Sequence, residues 1–279
     1  MRGRHLVKRS AAVTALLLAA SIATPLATTP AGATAAAKKS QPTITVLVTN
    51  DDGIAAPGID AIVEALRTQK NTKVIVVAPA TNQSGSASKT TPGGAPGVAG
   101  TTASGYAGTA VTGFPADSVN YALDVSKVKP NVVVSGSNLG QNLGPISEVS
   151  GTVGAARQAA RRGIPALAIS QQLGANPDFP TSAKLAVEWL KKNRKSFTKP
   201  AKVDGTALTQ IDSINVPNCP SGIKGLYETV LAPEGTAEPL VTGDPVNCAS
   251  TQTSFTSDAQ AFNNGWASIA KVTVPATAS

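Results

Sequence analysis

Four short apolar runs, separated by stretches of helical periodicity, govern what this chain folds into. Ile44 to Val48, Val74 to Ala78, Val132 to Ser135 and Ala166 to Ser170 are rich in Val, Ile, Leu or Ala at odd and even positions alike. A strand that is apolar on both faces belongs inside a sheet covered on both sides, as parallel strands are. Helical patterns lie between or after these runs. Pro57 opens one that presents Ile59, Ile62, Val63 and Leu66 on one face; a second starts near Pro115 with Val119 and Leu123 inward. A third runs from Thr152 to Arg162 and a fourth from Ser182 through Leu185, Trp189 and Leu190. Strands interleaved with helices predict an α/β fold with a mostly parallel sheet. Ser86 to Gly113 is rich in Gly, Ser, Thr, Ala and Pro and reads as a long loop with one weak strand at Thr109 to Thr112. From Val203 onward the texture becomes short β-like pieces, Ser213 to Val216 and Tyr227 to Val230. A helical turn at Asp258 to Phe262 and a strand from Ala267 to Val274 follow.

The first residues do not belong to that pattern. Arg2, Arg4, Lys8 and Arg9 form a basic region, Ala11 to Ala23 is apolar apart from Thr14 and Ser21, and Ala31-Gly32-Ala33-Thr34-Ala35 offers small-residue cleavage sites. This is the layout of a secretory signal peptide. The sequence therefore divides into a signal peptide over 1–35, an α/β core over 36–200 and a β-rich extension with a closing helix and strand over 201–279. The expected location is extracellular, with no membrane attachment once the signal is removed. The signal carries four basic residues and no acids, so the 24 Lys and Arg fall to 20 against 16 Asp and Glu. A net of +4 gives no reason to expect a nucleic acid polymer or a membrane as partner. His5, the sole histidine, leaves with the signal, which closes triad, His-zinc and phosphohistidine chemistry to the mature chain. In an oxidising compartment Cys219 and Cys248 are expected to form a disulfide, with two free buried thiols as the alternative.

Three of the runs end in polar, oxygen-bearing clusters. After Val48 comes Asn50-Asp51-Asp52-Gly53; after Ala78, Thr81-Asn82-Gln83-Ser84-Gly85; after Val134, Ser135-Gly136-Ser137-Asn138-Leu139-Gly140-Gln141-Asn142. In a parallel sheet all three lie on one edge, where open α/β folds build ligand sites. By itself the Asp51-Asp52 pair is equally a helix cap beside a solvated acid. Together with Ser84 and Asn138 it makes a hard oxygen set suited to magnesium or manganese, with calcium also admissible. Ser150-Gly151-Thr152 precedes the third helix, so its free amides offer an anion cradle, although an ordinary Ser or Thr cap explains the segment too.

The strings Val48-Thr49-Asn50-Asp51-Asp52-Gly53-Ile54, Asn82-Gln83-Ser84-Gly85, Pro115-Ala116-Asp117-Ser118-Val119, Ser135 to Asn142 and Ser150-Gly151-Thr152-Val153-Gly154-Ala155-Ala156 resemble the SurE survival-protein family of 5'/3'-nucleotidases. The resemblance is dense from Thr45 to Ser170 and thinner beyond. There Ile214-Asn215-Val216-Pro217 and Thr256 to Gly265 echo a later strand and a final helix. It implies a Rossmann-like three-layer sandwich and a C-terminal extension that helps pair subunits into a homodimer or homotetramer. It also implies a metal-dependent phosphatase acting on nucleoside monophosphates. The implied metal ligands are Asp51, Asp52, Ser84 and Asn138, and the implied phosphate contacts are Asn142, Ser150, Gly151 and Thr152. Asp51 is the carboxylate expected to orient the attacking water or take its proton, with Asp52 and Asn142 completing the catalytic set. The alternatives are a broad acid phosphatase or polyphosphatase, and a relative that binds metal and nucleotide without turnover. The chain departs from the family pattern at Ser86-Ala87-Ser88-Lys89, where a histidine is often found, at Phe114 and at Val149. All three departures are expected on the rim of the site.

Overall fold

The computed structural model describes residues 41–199, 201–234 and 246–276. The signal-peptide segment over 1–35 lies outside the described residues.

One sheet organises the described chain. Its strands are β1 (Ile44–Thr49), β2 (Thr72–Pro79), β3 (Gly97–Thr101), β4 (Ala107–Val111), β5 (Val132–Leu139), β6 (Ala166–Gln171), β7 (Gln210–Val216), β8 (Leu226–Thr229) and β9 (Ala267–Thr273). They lie in the order β3-β4-β2-β1-β5-β6-β7-β9-β8. All pairings from β4 to β7 are parallel; β3 with β4 and β7 with β9 are antiparallel. The fold is thus a mostly parallel α/β open sheet, and the segment after residue 201 extends it through β7, β9 and β8.

The apolar runs sort their side chains by the two-residue period of a strand. Val46, Val48, Val74, Val76, Val132, Val134, Leu167 and Ile169 enter one core with α1 (Pro57–Arg67) and α4 (Phe179–Asn193). Leu47, Val77, Val133, Ala166 and Ala168 enter the other with α2 (Pro115–Asn120) and α3 (Gly151–Arg161). These are the two outer layers of a three-layer sandwich. A smaller cluster of Leu143, Ala232, Ala259 and Phe262 seats α5 (Asp258–Asn263) against the segment after β5.

Local chemistry sets several boundaries. Asp178 accepts from Thr181 N at 3.1 Å, so α4 begins at Phe179, a turn before the Ser182 expected from periodicity. Asp117 reaches back to the Phe114 amide at 2.9 Å and starts α2, which runs into a π-helical turn over Tyr121–Val125. The segment Ser86 to Gly113 holds the β3-β4 hairpin at the sheet margin rather than one weak strand. Cys219 and Cys248 form a disulfide, with Cα atoms 5.7 Å apart.

The chain leaves β1 for β2 on one side and later returns to β5 on the other. The crevice beyond the carboxyl ends of β1 and β5 is therefore the topological switch point, the place where open α/β sheets bind ligands.

Candidate functional site

Asp51 and Asp52 follow β1 directly and stand at that crevice. Gly53 turns the chain at φ +106°, a conformation that suits glycine, and Asn50 Nδ2 donates to its carbonyl at 2.8 Å to lock the turn. Asp51 is 2 % exposed. Thr152 Oγ1 donates to its Oδ1 at 2.5 Å. Burial raises the Asp51 carboxyl from 3.8 to about 6; the Thr152 hydrogen bond opposes the rise and the neighbouring Asp52 charge adds to it. Asp52 is raised as well, by burial, against the backbone amide of Leu139 that donates to Oδ2 at 2.9 Å. Among the described residues neither carboxylate has an ion-pair partner.

Strand β5 delivers Asn138. The β5-β6 register shifts between Ser135 and Asn138, an irregularity at the strand end. Asn138 Nδ2 donates to Gly140 O at 2.5 Å, while its Oδ1 is buried without a partner. An unpaired buried acceptor beside two carboxylates is free to accept from water or to bind a cation. Among the described residues no group of three His, Cys, Asp or Glu side chains gathers. Any cation here must complete its shell with neutral oxygens and water, which fits magnesium, manganese or calcium and not a thiolate- or imidazole-seeking metal. Asp51, Asp52 and Asn138 Oδ1 satisfy that requirement. Ser84 lies on an exposed loop. It is tied to the pair through Asn82, whose Oδ1 accepts from Ser84 N at 2.9 Å and whose Nδ2 donates to Asp52 at 3.3 Å.

The start of α3 meets the acids from the other side. Ser150 caps the helix by accepting from Val153 N at 3.1 Å. Gly151 is required by closeness: a Cβ there would lie 2.8 Å from Asp51 Cβ, 2.9 Å from Ser86 Oγ and 3.0 Å from Asp51 Oδ2. Asp51, Ser86 and the first amides of an eleven-residue helix therefore converge on one point, where the helix favours negative charge.

Asn142 is buried just past the end of β5, against β6 and β7. Its Nδ2 donates to Ser170 Oγ at 2.7 Å, its amide donates to Asn215 Oδ1 at 2.7 Å, and Asn215 Nδ2 returns a bond to its carbonyl at 3.4 Å. The expected residues thus fall on one sheet edge: Thr152 bonded to Asp51, Asp52 beside it in sequence, Asn138 next to the Leu139 amide that binds Asp52, and Ser84 tied to Asp52 through Asn82. Sequence reasoning put Ser86 on the rim and gave no role to Ser170 or Asn215. Each is a lone polar residue whose role depends on a tertiary contact, and only the buried hydroxyl of Ser86, orphaned beside Asp51, marks itself out once the fold is known.

Fold and site together define an open α/β protein with an oxygen-lined, doubly acidic ligand site at its switch point, facing a helix N-terminus. Residues 46–238 match the family described as survival protein SurE, and the chain belongs to that family. It is 36% identical over 188 residues to the 5'/3'-nucleotidase SurE of Yersinia pseudotuberculosis, covering 67% of this chain and 68% of that protein. With the 5'/3'-nucleotidase SurE of Yersinia enterocolitica it shares 37% identity over 186 residues, 66% of this chain and 69% of that one. The crystal structure of the SurE protein from Aquifex aeolicus superposes with a TM-score of 0.64 at 29% identity, covering 84% of this chain and 94% of that one.

Proposed function

We propose that this chain is a nucleotidase, a phosphoric monoester hydrolase that releases phosphate from nucleoside monophosphates and depends on one divalent cation. The observation that carries the reading is the meeting of two desolvated, like-charged carboxylates with the amides of α3 at Gly151. Carboxylates alone would repel a phosphate. A hard cation bound by Asp51, Asp52 and Asn138, with Ser84 from the neighbouring loop, supplies the missing positive charge and Lewis acidity.

The chain's own groups do the rest. Thr152 holds Asp51 Oδ1 by a hydrogen bond, which leaves Oδ2 to orient the attacking water and take its proton. The amides of Gly151 and Thr152 bind phosphoryl oxygens as charge builds on them. Asn142, whose amide group is oriented by Ser170 and whose main chain is clamped by Asn215, contributes a further polar contact. The family relationship and the 5'/3'-nucleotidase names of its relatives support the nucleotide as substrate.

The test is phosphate release by purified protein with manganese and a panel of nucleoside monophosphates, simple phosphate esters and polyphosphate. Preferential release from nucleotides is expected. Equal release from unrelated esters would favour a broad phosphatase, and nucleotide binding without release a non-catalytic relative. The N-terminal sequence supports export, tested by N-terminal sequencing of protein recovered from culture medium. A homodimer or homotetramer is proposed from the family and is read by light scattering.

A further inference from the structure

Asp258 is a fully buried carboxylate that the proposed hydrolysis leaves unused. It opens α5, and among the described residues no cation pairs with it. Backbone amides take the place of a cation. Gly144 N donates to its Oδ2 at 2.9 Å, and Oδ1 accepts from Ala232 N at 2.7 Å and Ala259 N at 2.8 Å. Burial raises the carboxyl above its ordinary value, and these three bonds oppose the rise. Helix capping does not account for the arrangement. Ser257 already caps α5 by accepting from Gln260 N at 3.2 Å, and the amides of Gly144 and Ala232 come from 114 and 26 residues earlier in the chain.

Gly144 is the bond that reaches the site. It begins the 3₁₀ turn Gly144–Glu148, which joins Asn142 to the Ser150 cap of α3. One short segment therefore carries Asn142 at one end and Ser150-Gly151-Thr152 at the other. It is held at three points. Asn215 Oδ1 accepts from the Asn142 amide, Asp258 accepts from the Gly144 amide, and Arg157 grips Glu148 while donating to Thr273 O. Gly144 is shaped for its hold: its φ is +47°, and a Cβ there would lie 2.9 Å from Ala232 O. The turn and the segment after β8 thus pack backbone to backbone, with Asp258 bonded to both.

From this clamp we infer that Asp258 is a positioning residue for the anion cradle: through Gly144 it sets where Asn142 and the amides of Gly151 and Thr152 stand relative to Asp51. The role rests on the proposed nucleotidase reading for the identity of the anion, a phosphate. Donors aimed in advance at developing charge gain their strength from being held still. A displacement of about 1 Å in such groups costs up to about 100-fold in rate. The segment after β8, through α5, is on this account a working part of the site at the sheet edge.

The test compares dissociation constants of manganese, and of inorganic phosphate with manganese present, for the full chain, Asp258→Asn and Ser257→Ala, each at a temperature where its melt shows it folded. In Asp258→Asn one carboxylate oxygen becomes an amino group, which cannot accept. Ser257→Ala removes the cap of α5 and leaves the Asp258 bonds in place, so it controls for lost helix stability. The expected result is phosphate binding weaker by about tenfold in Asp258→Asn, a usual size for coupling between separate sites, with manganese binding unchanged and Ser257→Ala like wild type in both. Unchanged phosphate binding in Asp258→Asn, or an equal loss in Ser257→Ala, overturns the role. A second measurement needs no variant. Coupling is reciprocal, so phosphate with manganese should slow hydrogen exchange at the Gly144 and Ala232 amides of the wild-type chain by more than it slows the amides of α1; no greater slowing there overturns the role as well. Release of phosphate from adenosine monophosphate is read in parallel. Binding without release sinks the nucleotidase reading and leaves Asp258 in place, whereas release by wild type with undiminished phosphate binding in Asp258→Asn does the reverse.

Discussion

Asp51→Asn separates the stability of the site from its chemistry. The wild-type carboxyl is 2 % exposed and rises from 3.8 to about 6, chiefly through burial. In the fold it keeps its proton to a higher pH than in the unfolded chain. The protonated form therefore adds stability that is fully present below about 3.8 and lost as pH rises through about 6. The rise corresponds to about 3 kcal/mol once both states are ionised. Asparagine cannot ionise and retains an oxygen for the Thr152 hydroxyl. In chelator-treated protein the variant should match wild type near pH 4 and exceed it by up to about 3 kcal/mol at pH 7.5. For a chain of this size that is a Tm increase of about 6 to 12 °C. Adding manganese at pH 7.5 should stabilise wild type by far more than the variant, which has lost a carboxylate ligand, and phosphate release should be abolished only in the variant. Thermal melts at the two pH values, with chelator and with manganese, read all of this. A variant no more stable than wild type at pH 7.5 in chelator, or one that retains hydrolysis, refutes the account of a desolvated carboxylate kept for a cation.

Gly151→Ala forces a methyl group to within 2.8 Å of Asp51 Cβ; it should cost about 1 to 3 kcal/mol and weaken manganese binding in titration calorimetry. Arg157 is 4 % exposed, makes a two-pronged bond to Glu148 and donates from Nε to Thr273 O at 2.9 Å. It steadies the turn that leads into Ser150, so Arg157→Met should lose about 2 kcal/mol and raise KM more than it lowers kcat in steady-state assays. The Cys219-Cys248 bridge spans 29 residues, and Cys248→Ser should lower stability by about 3 to 4 kcal/mol in denaturant titrations under non-reducing conditions.

The buried parallel strands were legible because their apolar content on both faces has one structural meaning, and β1, β2, β5 and β6 lie where that pattern puts them. β3 was not. Gly97-Val98-Ala99-Gly100-Thr101 has neither alternation nor bulk, and it is a strand because it pairs with β4. Its glycines suit close packing: a Cβ on Gly97 would meet the Tyr121 ring at 2.7 Å, and one on Gly100 the Ala110 methyl at 3.0 Å. In the site, Asp51, Asp52, Asn138 and Gly151 could be read from strand ends and a helix start, since topology alone brings those points together. Ser170 and Asn215 could not. Their partner Asn142 lies 28 residues before one and 73 before the other, and only the β5-β6-β7 order makes the three adjacent.

The departures from the family pattern take on unequal weight in this geometry. Phe114 is the N-cap of α2; its side chain makes no capping hydrogen bond, and its backbone amide donates to Asp117. Val149 is exposed and offers its carbonyl to Ala87 N at 3.1 Å, again a main-chain role. Ser86 differs from both. It was expected on the rim, yet it is buried, its hydroxyl has no hydrogen-bond partner, and it lies with Asp51 against Gly151. A hydroxyl there adds a neutral donor and acceptor beside the carboxylates. No histidine lies among the described residues, so the proposed hydrolysis assigns proton transfer in the crevice to the carboxylates. Burial raises both, and the Thr152 bond opposes the rise at Asp51.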